Sequence, residues 1–200
     1  MNIINKQVMR GIQIISNVKN VTNFDDSNNS LQPIDVLHLL KTSIEYIESS
    51  FPENNIKINF NYSSIRKSYF NGLYVQGDKL LQNVFENIIF NAIYHNKNSN
   101  IQILINVSKI ILNNTSFVKI EFIDNGVGIT NARKKSIFQK EYEIRECLNG
   151  MGFGLTLVKK LIKKYNGYIW VEDKVKGDYK KGSNFIILIP EINEKPYILA

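Results

Sequence analysis

Between Asn100 and Asp124 the chain holds two long strand-forming runs, Asn100 to Leu112 and Phe117 to Asp124, around the turn-like Asn113-Asn114-Thr115-Ser116. Such runs about so short a break predict a hairpin, and a chain that must contain it cannot be a helical bundle. The flanking segments follow another period. After Pro33, the residues Leu37, Leu40, Ile44, Ile47 and Phe51 recur at three-and-four spacing and predict an amphipathic helix ending near Pro52. Leu81, Val84, Phe85, Ile88, Ile89 and Ala92 do the same between Lys79 and His95, with Asp78 as the expected N-cap. A third amphipathic run, Leu155, Val158, Ile162 and Tyr165, stops at Asn166-Gly167. Ile56, Ile58 and Phe60 alternate with polar residues as a half-buried strand, and a short strand is expected over Leu73 to Val75. Tyr168 to Val171 and Asn184 to Ile189 predict a second hairpin, joined by a lysine- and glycine-rich loop. Strands and helices in this order predict an α+β fold, a two-layer sandwich with a mixed, mostly antiparallel sheet and helices on one face.

One more helix is expected ahead of this sandwich. Val8, Ile12 and Ile15 form one apolar stripe over Gln7 to Phe24, and Ile14, Val18 and Val21 form another, so the helix wants neighbours on both sides, as in a bundle or a dimer seam. The polar run Asp25-Asp26-Ser27-Asn28-Asn29-Ser30 separates it from the rest. An apolar content of 44% over 200 residues supports a substantial core and excludes a disordered chain. Cys147 is the single cysteine, which excludes an internal disulfide and points to a reducing compartment. No run approaches the roughly 20 apolar residues needed to span a bilayer, and Met1 to Lys6 lacks a signal-peptide core, so a soluble cytoplasmic chain is expected. The net charge of +7 comes from lysines spread along the chain, which suits a solvated basic surface better than a nucleic-acid interface.

Three places carry chemistry. Gly150-Met151-Gly152-Phe153-Gly154-Leu155 puts glycines at every second position directly before a helix. There, unpaired N–H groups and the positive end of the helix dipole can close on a phosphate; a flexible surface loop is the plainer alternative for the glycines alone. Asn87 and Asn91 stand one helical turn apart, so both amides share a face of an otherwise apolar helix, beside Glu86. Asn oxygens suit Mg²⁺, and hydrogen bonds to nearby backbone would equally explain them. Asp124-Asn125-Gly126-Val127-Gly128 sets a carboxylate at a strand end with two permissive residues behind it, fit to accept from an exocyclic amine while a flat ring approaches; the same tripeptide Asp-Asn-Gly is also an ordinary turn.

Taken together and in order, these stretches resemble the boxes of a known family. Asn87-Ile88-Ile89-Phe90-Asn91-Ala92 is similar to the N box, Asp124 to Gly128 to the G1 box and Gly150 to Leu155 to the G2 box of the ATP-binding catalytic domain of sensor histidine kinases, which share the Bergerat-type fold with gyrase-type and Hsp90-type ATPases. Phe138 to Tyr142 is similar to the F box, and Gly182-Ser183-Asn184-Phe185 to the pattern before the last strand; the resemblance covers roughly Leu31 to Pro190. It implies an ATP-binding domain over 31–191, a helix over 1–26 similar to the second dimerisation helix of such kinases, and a tail over 192–200. It further implies that Asp124 recognises the adenine amine, with Gly126, Gly128 and Ile129 shaping the base pocket. Glu86 and Asn87 are implied in catalysis, and Asn87 and Asn91 in holding Mg²⁺ and the phosphates. Tyr94, Gly150, Gly152, Phe153, Gly154 and Leu155 complete the nucleotide site, and the lid residues Arg133, Lys140 and Arg145 are candidates for the γ-phosphate.

Departures from the family pattern shape the functional expectation. Tyr94 stands where the family is often basic, and Lys140-Glu141 interrupt the F box. The family's phosphoacceptor is a histidine usually followed by Glu or Asp; here the two histidines are His38, followed by Leu39, and His95 at the end of the N-box helix. The expected function is therefore the ATP-binding module of a histidine kinase using ATP and Mg²⁺. Either its transfer would run in trans, to an acceptor-histidine domain or response regulator, or the module is a fragment of a longer sensor; a homodimer through the N-terminal helix is a further expectation. The alternatives are a nucleotide-dependent interaction module and an ATPase on the same fold.

Overall fold

The computed structural model describes residues 30–52, 55–62, 72–138 and 153–192, together with Gly11. The helix expected over Gln7 to Phe24, the tail beyond Ile192, and Lys140, Arg145, Cys147, Gly150 and Gly152 lie outside the described residues. In chain order the elements are β1 (Gln32–Asp35), α1 (Val36–Ser50), β2 (Ile56–Asn61), β3 (Tyr74–Gly77), α2 (Leu80–Tyr94), β4 (Ile101–Leu112), β5 (Thr115–Asp124), α3 (Asn131–Ser136), α4 (Phe153–Lys164), β6 (Tyr168–Val175) and β7 (Asp178–Ile192).

The strands form one mixed sheet in the order β1-β3-β7-β5-β4-β2, with β6 also paired to β7. Only the β2–β4 pair is parallel among the described strands. Strand alternation puts one side chain in two on each face. Ile105 of β4 stands opposite Phe122 of β5, and Phe122 opposite Phe185 of β7, so an apolar row crosses the centre of the sheet. Against that row pack the buried stripes of three helices, including Leu40 and Ile47 of α1, Phe85 and Ile88 of α2, and Leu157 and Leu161 of α4. The two-layer α+β sandwich expected from the periodicity is the fold observed.

Local chemistry explains where several elements begin and end. Asp35 caps α1, its Oδ1 accepting from the N–H groups of Leu37 and His38. The β4–β5 turn is two residues rather than four: Asn113 and Asn114 have φ of 48° and 62°, and a positive φ at both centres is the twist-matched hairpin geometry that asparagine tolerates. Asn166, at φ 56°, ends α4, with its N–H and that of Gly167 donating to the carbonyls of Lys163 and Ile162. The expected stop is thus present, but the left-handed residue is Asn166 and not the glycine.

Asp78 caps α2 as expected: its Oδ1 accepts from the Leu80 N–H and its carbonyl from the Leu81 N–H, while Lys79, at φ −56° and ψ −22°, is already helical. Two readings change. β1 was not expected; it contains Pro33 and pairs only with β3, the edge position where a proline costs no ladder bond. The lysine-rich stretch between β6 and β7 is mostly strand, reduced to a turn at Lys176 and Gly177, because paired exposed strands accept lysine readily.

Asn166→Ala is expected to lower the free energy of unfolding by about 1 kcal/mol, the strain of a left-handed alanine, whereas Leu161→Ala should lower it by about 2–5 kcal/mol. Urea denaturation reads both; equal costs would show that the end of α4 is not held by a local motif.

Candidate functional site

The site grows from the register of β5 on β7. Their pairing runs to Ile123 opposite Asn184, which brings the next residue of β7, Ser183, beside Asp124. The Ser183 N–H donates to Asp124 Oδ1 at 3.3 Å and the Gly126 N–H donates to the same oxygen at 2.7 Å. Asp124 is 5% exposed, and burial pushes its carboxyl above the ordinary aspartate range against these two N–H groups and the charge of Lys174. Both internal bonds fall on Oδ1, so among the described residues Oδ2 is the atom offered to the neighbouring cavity.

That cavity is a cleft open to solvent, with about 610 Å³ of space counting the solvent at its mouth. Asn91, Ala92 and His95 line it from the end of α2, Gly126 to Ile129 from the exit of β5, and Leu155 from the start of α4. Arg133, Ile137, Ser183 and Phe185 complete the wall. Its floor is mostly apolar, as a flat aromatic base requires, with Asp124 the single acid on it. Phe138, the first residue of the F-box resemblance, is buried behind it with its ring edge-on to Phe185 at 6.3 Å.

Two glycines make this wall compact. A Cβ on Gly128, at φ +67°, would lie 1.6 Å from the Tyr179 carbonyl oxygen, and a Cβ on Gly182, at φ +117°, would lie 2.1 Å from the Asp124 carbonyl oxygen. The β6–β7 hairpin and the loop after β5 therefore meet backbone to backbone, which no side chain would permit. Asn125 fixes the other side of the loop. Its Oδ1 accepts from Asn96 Nδ2 at 2.8 Å and Gln102 N–H at 2.9 Å, its Nδ2 donates to the Asn100 carbonyl at 3.0 Å, and its own carbonyl accepts from Asn98 Nδ2. Every polar side-chain atom of Asn125 thus ties the strand end to the turn that follows α2.

The sequence-predicted residues fall into three groups. Asn91, Asp124, Gly126, Gly128, Ile129 and Leu155 are brought together on the cavity wall. Glu86, Asn87 and Tyr94 lie on α2 outside that wall. Asn87 is buried, with Nδ2 donating to the Asn83 carbonyl at 2.8 Å; Glu86 Oε1 accepts from Gln82 Nε2 at 2.8 Å, and burial raises its carboxyl above the usual range against that bond. Tyr94 turns its ring edge-on to His95, and His95 is the one of the two that reaches the cavity. Gly154 begins α4, while Gly150, Gly152, Arg145 and the side chain of Phe153 lie outside the described residues. Sequence reasoning gave no role to Asn125, Ile137 or the Ser183 N–H. The Asn-Gly pair signalled a turn, but only the register of β7 reveals the donor.

The elements that carry this site define a class: residues 77–193, more than half of the chain, match the family model of histidine kinase-, DNA gyrase B- and HSP90-like ATPases, and the chain belongs to that family. Within it, the chain is 26% identical over 162 residues to the adaptive-response sensory kinase SasA of Synechocystis sp., covering 80% of this chain and 39% of that protein. Its fold matches histidine kinase ThkA in complex with the response regulator protein TrrA with a TM-score of 0.67 at 22% identity, over 96% of this chain and 50% of that one. It also matches full-length ShkA in complex with AMPPNP with a TM-score of 0.64 at 22% identity, over 83% and 32% of the two chains. The chain spans well under half the length of the curated relative.

Two outcomes follow from this geometry. Asp124→Asn keeps an oxygen for both N–H donors and removes a buried charge. Since the native carboxyl binds its proton more tightly than the unfolded one, wild-type stability falls as pH rises through that window. Asp124→Asn is therefore expected to melt higher than wild type at pH 7 and to match it below pH 3.8, the ordinary aspartate value; a variant that melts lower at pH 7 would sink this reading. Gly182→Ala is expected to cost at least about 2 kcal/mol in chemical denaturation, from strain and overlap together.

Proposed function

We propose that this chain is the ATP-binding catalytic module of a two-component sensor histidine kinase, passing the γ-phosphate of ATP in trans to a histidine. The observation that carries the reading is Asp124: a buried carboxylate, held through one oxygen by Gly126 and Ser183, facing an apolar cavity that ends between Asn91 and the start of α4. Oδ2 accepts a hydrogen bond from the exocyclic amine of adenine, and Ile129, Ile137 and Ala92 enclose the ring. The sugar and phosphates then lead towards Asn91 and Gly154. ShkA, a relative in fold, is in complex with AMPPNP, which supports a nucleotide as the ligand.

Mg²⁺ is implied by the family, and the donors present fit it. Among the described residues no trio of His, Cys, Asp or Glu is assembled to hold a metal. A cation arriving on phosphate and keeping most of its waters needs only one or two oxygens, and Asn87 and Asn91 supply them. When bound, Mg²⁺ neutralises charge on the phosphates. The chain's own residues orient the nucleotide for in-line attack. An acceptor imidazole nitrogen forms the new N–P bond, the bond from the γ-phosphorus to the bridging oxygen of ADP breaks, and Glu86 takes the imidazole proton, a role suited to a carboxyl whose proton affinity is raised by burial.

The same reading assigns residues 1–26 to a dimerisation helix, 31–191 to the catalytic domain and the module to the cytoplasm; among the described residues no helix is long and apolar enough to cross a membrane. His38 is exposed on α1 and followed by Leu39, which argues against it as the acceptor, and the ThkA complex with TrrA supports a response regulator as a partner.

Labelled ATP, Mg²⁺ and a separate acceptor-histidine domain should yield an acid-labile phosphoprotein; nucleotide binding without transfer would favour an interaction module instead. Asp124→Ala should weaken ATP binding at least about 10-fold, since a charge-assisted bond is worth roughly 1.5–3 kcal/mol, and an unchanged dissociation constant would remove Asp124 from the site. Asn91→Ala should reduce the Mg²⁺ dependence of binding measured by titration calorimetry.

A further inference from the structure

Away from the cavity, the described core contains a buried polar cluster that the reaction above does not use. Asp78, 6% exposed, precedes α2; Lys164 and Tyr165 close α4. The Tyr165 hydroxyl donates to Asp78 Oδ1 at 2.6 Å, Lys164 Nζ donates to Oδ2 at 2.8 Å, and Leu80 N–H donates to Oδ1 at 2.9 Å. Tyr165 itself is 1% exposed. Burial opposes the charge on Asp78, yet the bonds from Lys164 and Tyr165 outweigh it and hold the carboxyl below its ordinary value, while burial and Asp78 together push the Tyr165 hydroxyl far above its own. The junction is a charged, fully bonded contact in which Tyr165 stays protonated as a donor.

Its position relative to the cavity gives it meaning. The start of α2 meets the end of α4 at this cluster, whereas the end of α2, with Asn91 and His95, and the start of α4, with Leu155, meet at the cavity. The two helices are therefore antiparallel and packed along their length. Apolar faces such as Leu157 and Leu161 hold them together but resist sliding and tilting weakly, since burial is non-directional. Hydrogen bonds are directional, and those that Lys164 and Tyr165 give to Asp78 lie at one end of the contact. From Tyr165 to Gly154 the helix rises about 16 Å, so a tilt of about 5° at the junction moves the start of α4 by about 1.4 Å. Misplacement on that scale is enough to cost a site on the order of 100-fold.

We propose that Tyr165 and Asp78 are positioning residues: by fixing the end of α4 against the start of α2, they set where Gly154 and Leu155 stand across the cavity from Asn91. The phosphate side of the site then depends on a contact about three helical turns away, and the base side does not, because Asp124, Gly126 and Ser183 are held by β5 and β7. The ligand-specific part rests on the ATP reading above; the geometric part does not.

Tyr165→Phe removes one oxygen and keeps the packing. In ¹⁵N-labelled protein without nucleotide, the amide resonances of Gly154 and Leu155 should shift, while those of Gly126 and Ser183 stay in place. Changes confined to the neighbours of residue 165 would overturn the proposal. With ligands, the dissociation constant for ATP should rise about 3–10-fold and that for adenosine by less than about 2-fold, the effect of one lost hydrogen bond transmitted to one end of the site. Equal losses for both ligands, or none for ATP, would also overturn it. Wild-type protein that binds neither ligand sinks the ATP reading alone and leaves the resonance test standing. If Tyr165→Phe does not fold, Asp78→Asn, which keeps an acceptor for Tyr165 and Leu80 but loses the charge, is read by the same resonances with smaller shifts expected.

Discussion

The pairing of β5 with β7 is the constraint from which the site follows. Seven residue pairs, from Phe117 opposite Pro190 to Ile123 opposite Asn184, put Phe122 and Phe185 side by side in the core and deliver Ser183 to Asp124. A slip of one residue would turn the apolar row to the other face and carry the Ser183 N–H away from the carboxylate. Core packing and ligand recognition are thus set by the same ladder. Damage to the core at this point is damage to the site.

Asp124 lives with a conflict that the fold resolves only in part. Two backbone N–H groups stabilise its charge, and burial opposes it more strongly. A structural role would be served as well by an uncharged amide. What an amide lacks is an acceptor without competing donors, which is the property a base amine would select. That cost in stability fits the ligand role proposed for Asp124, whereas Asp78, equally buried, has every oxygen answered by a donor and a charge that its partners stabilise.

The parts of the fold that could be read from the sequence are those governed by local period. α1, α2, α4 and the β4–β5 hairpin each hold a long repeat whose apolar residues are also the buried ones, as with Leu81, Val84, Phe85 and Ile88. β1 was hidden because four residues containing Pro33 carry no period, and the length of β6 and β7 because Lys174, Lys180 and Lys181 sit on paired but exposed strands. In the site, Asp124, Asn91 and the glycines stood out by residue type. Their supports did not: the Ser183 N–H lies 59 residues from Asp124, and Tyr165 lies 87 from Asp78, so neither relation leaves a trace in any short window. Tyr165 in particular read as one more apolar residue of a helical stripe, since its ring follows that stripe and only its hydroxyl departs from it.

The contact between Gly128 and the carbonyl of Tyr179 has a bearing on how such a chain can vary. At Gly128 the loop after β5 leans on the backbone of the β6–β7 hairpin. Whatever residue stands at 179 presents the same oxygen, and the outward side chains of the hairpin, its lysines among them, can be exchanged without altering the surface that Gly128 meets. The pocket wall is in this sense insulated from the exterior of the molecule. The side chain at 179 is thus free to diverge while the backbone contact behind it stays the same.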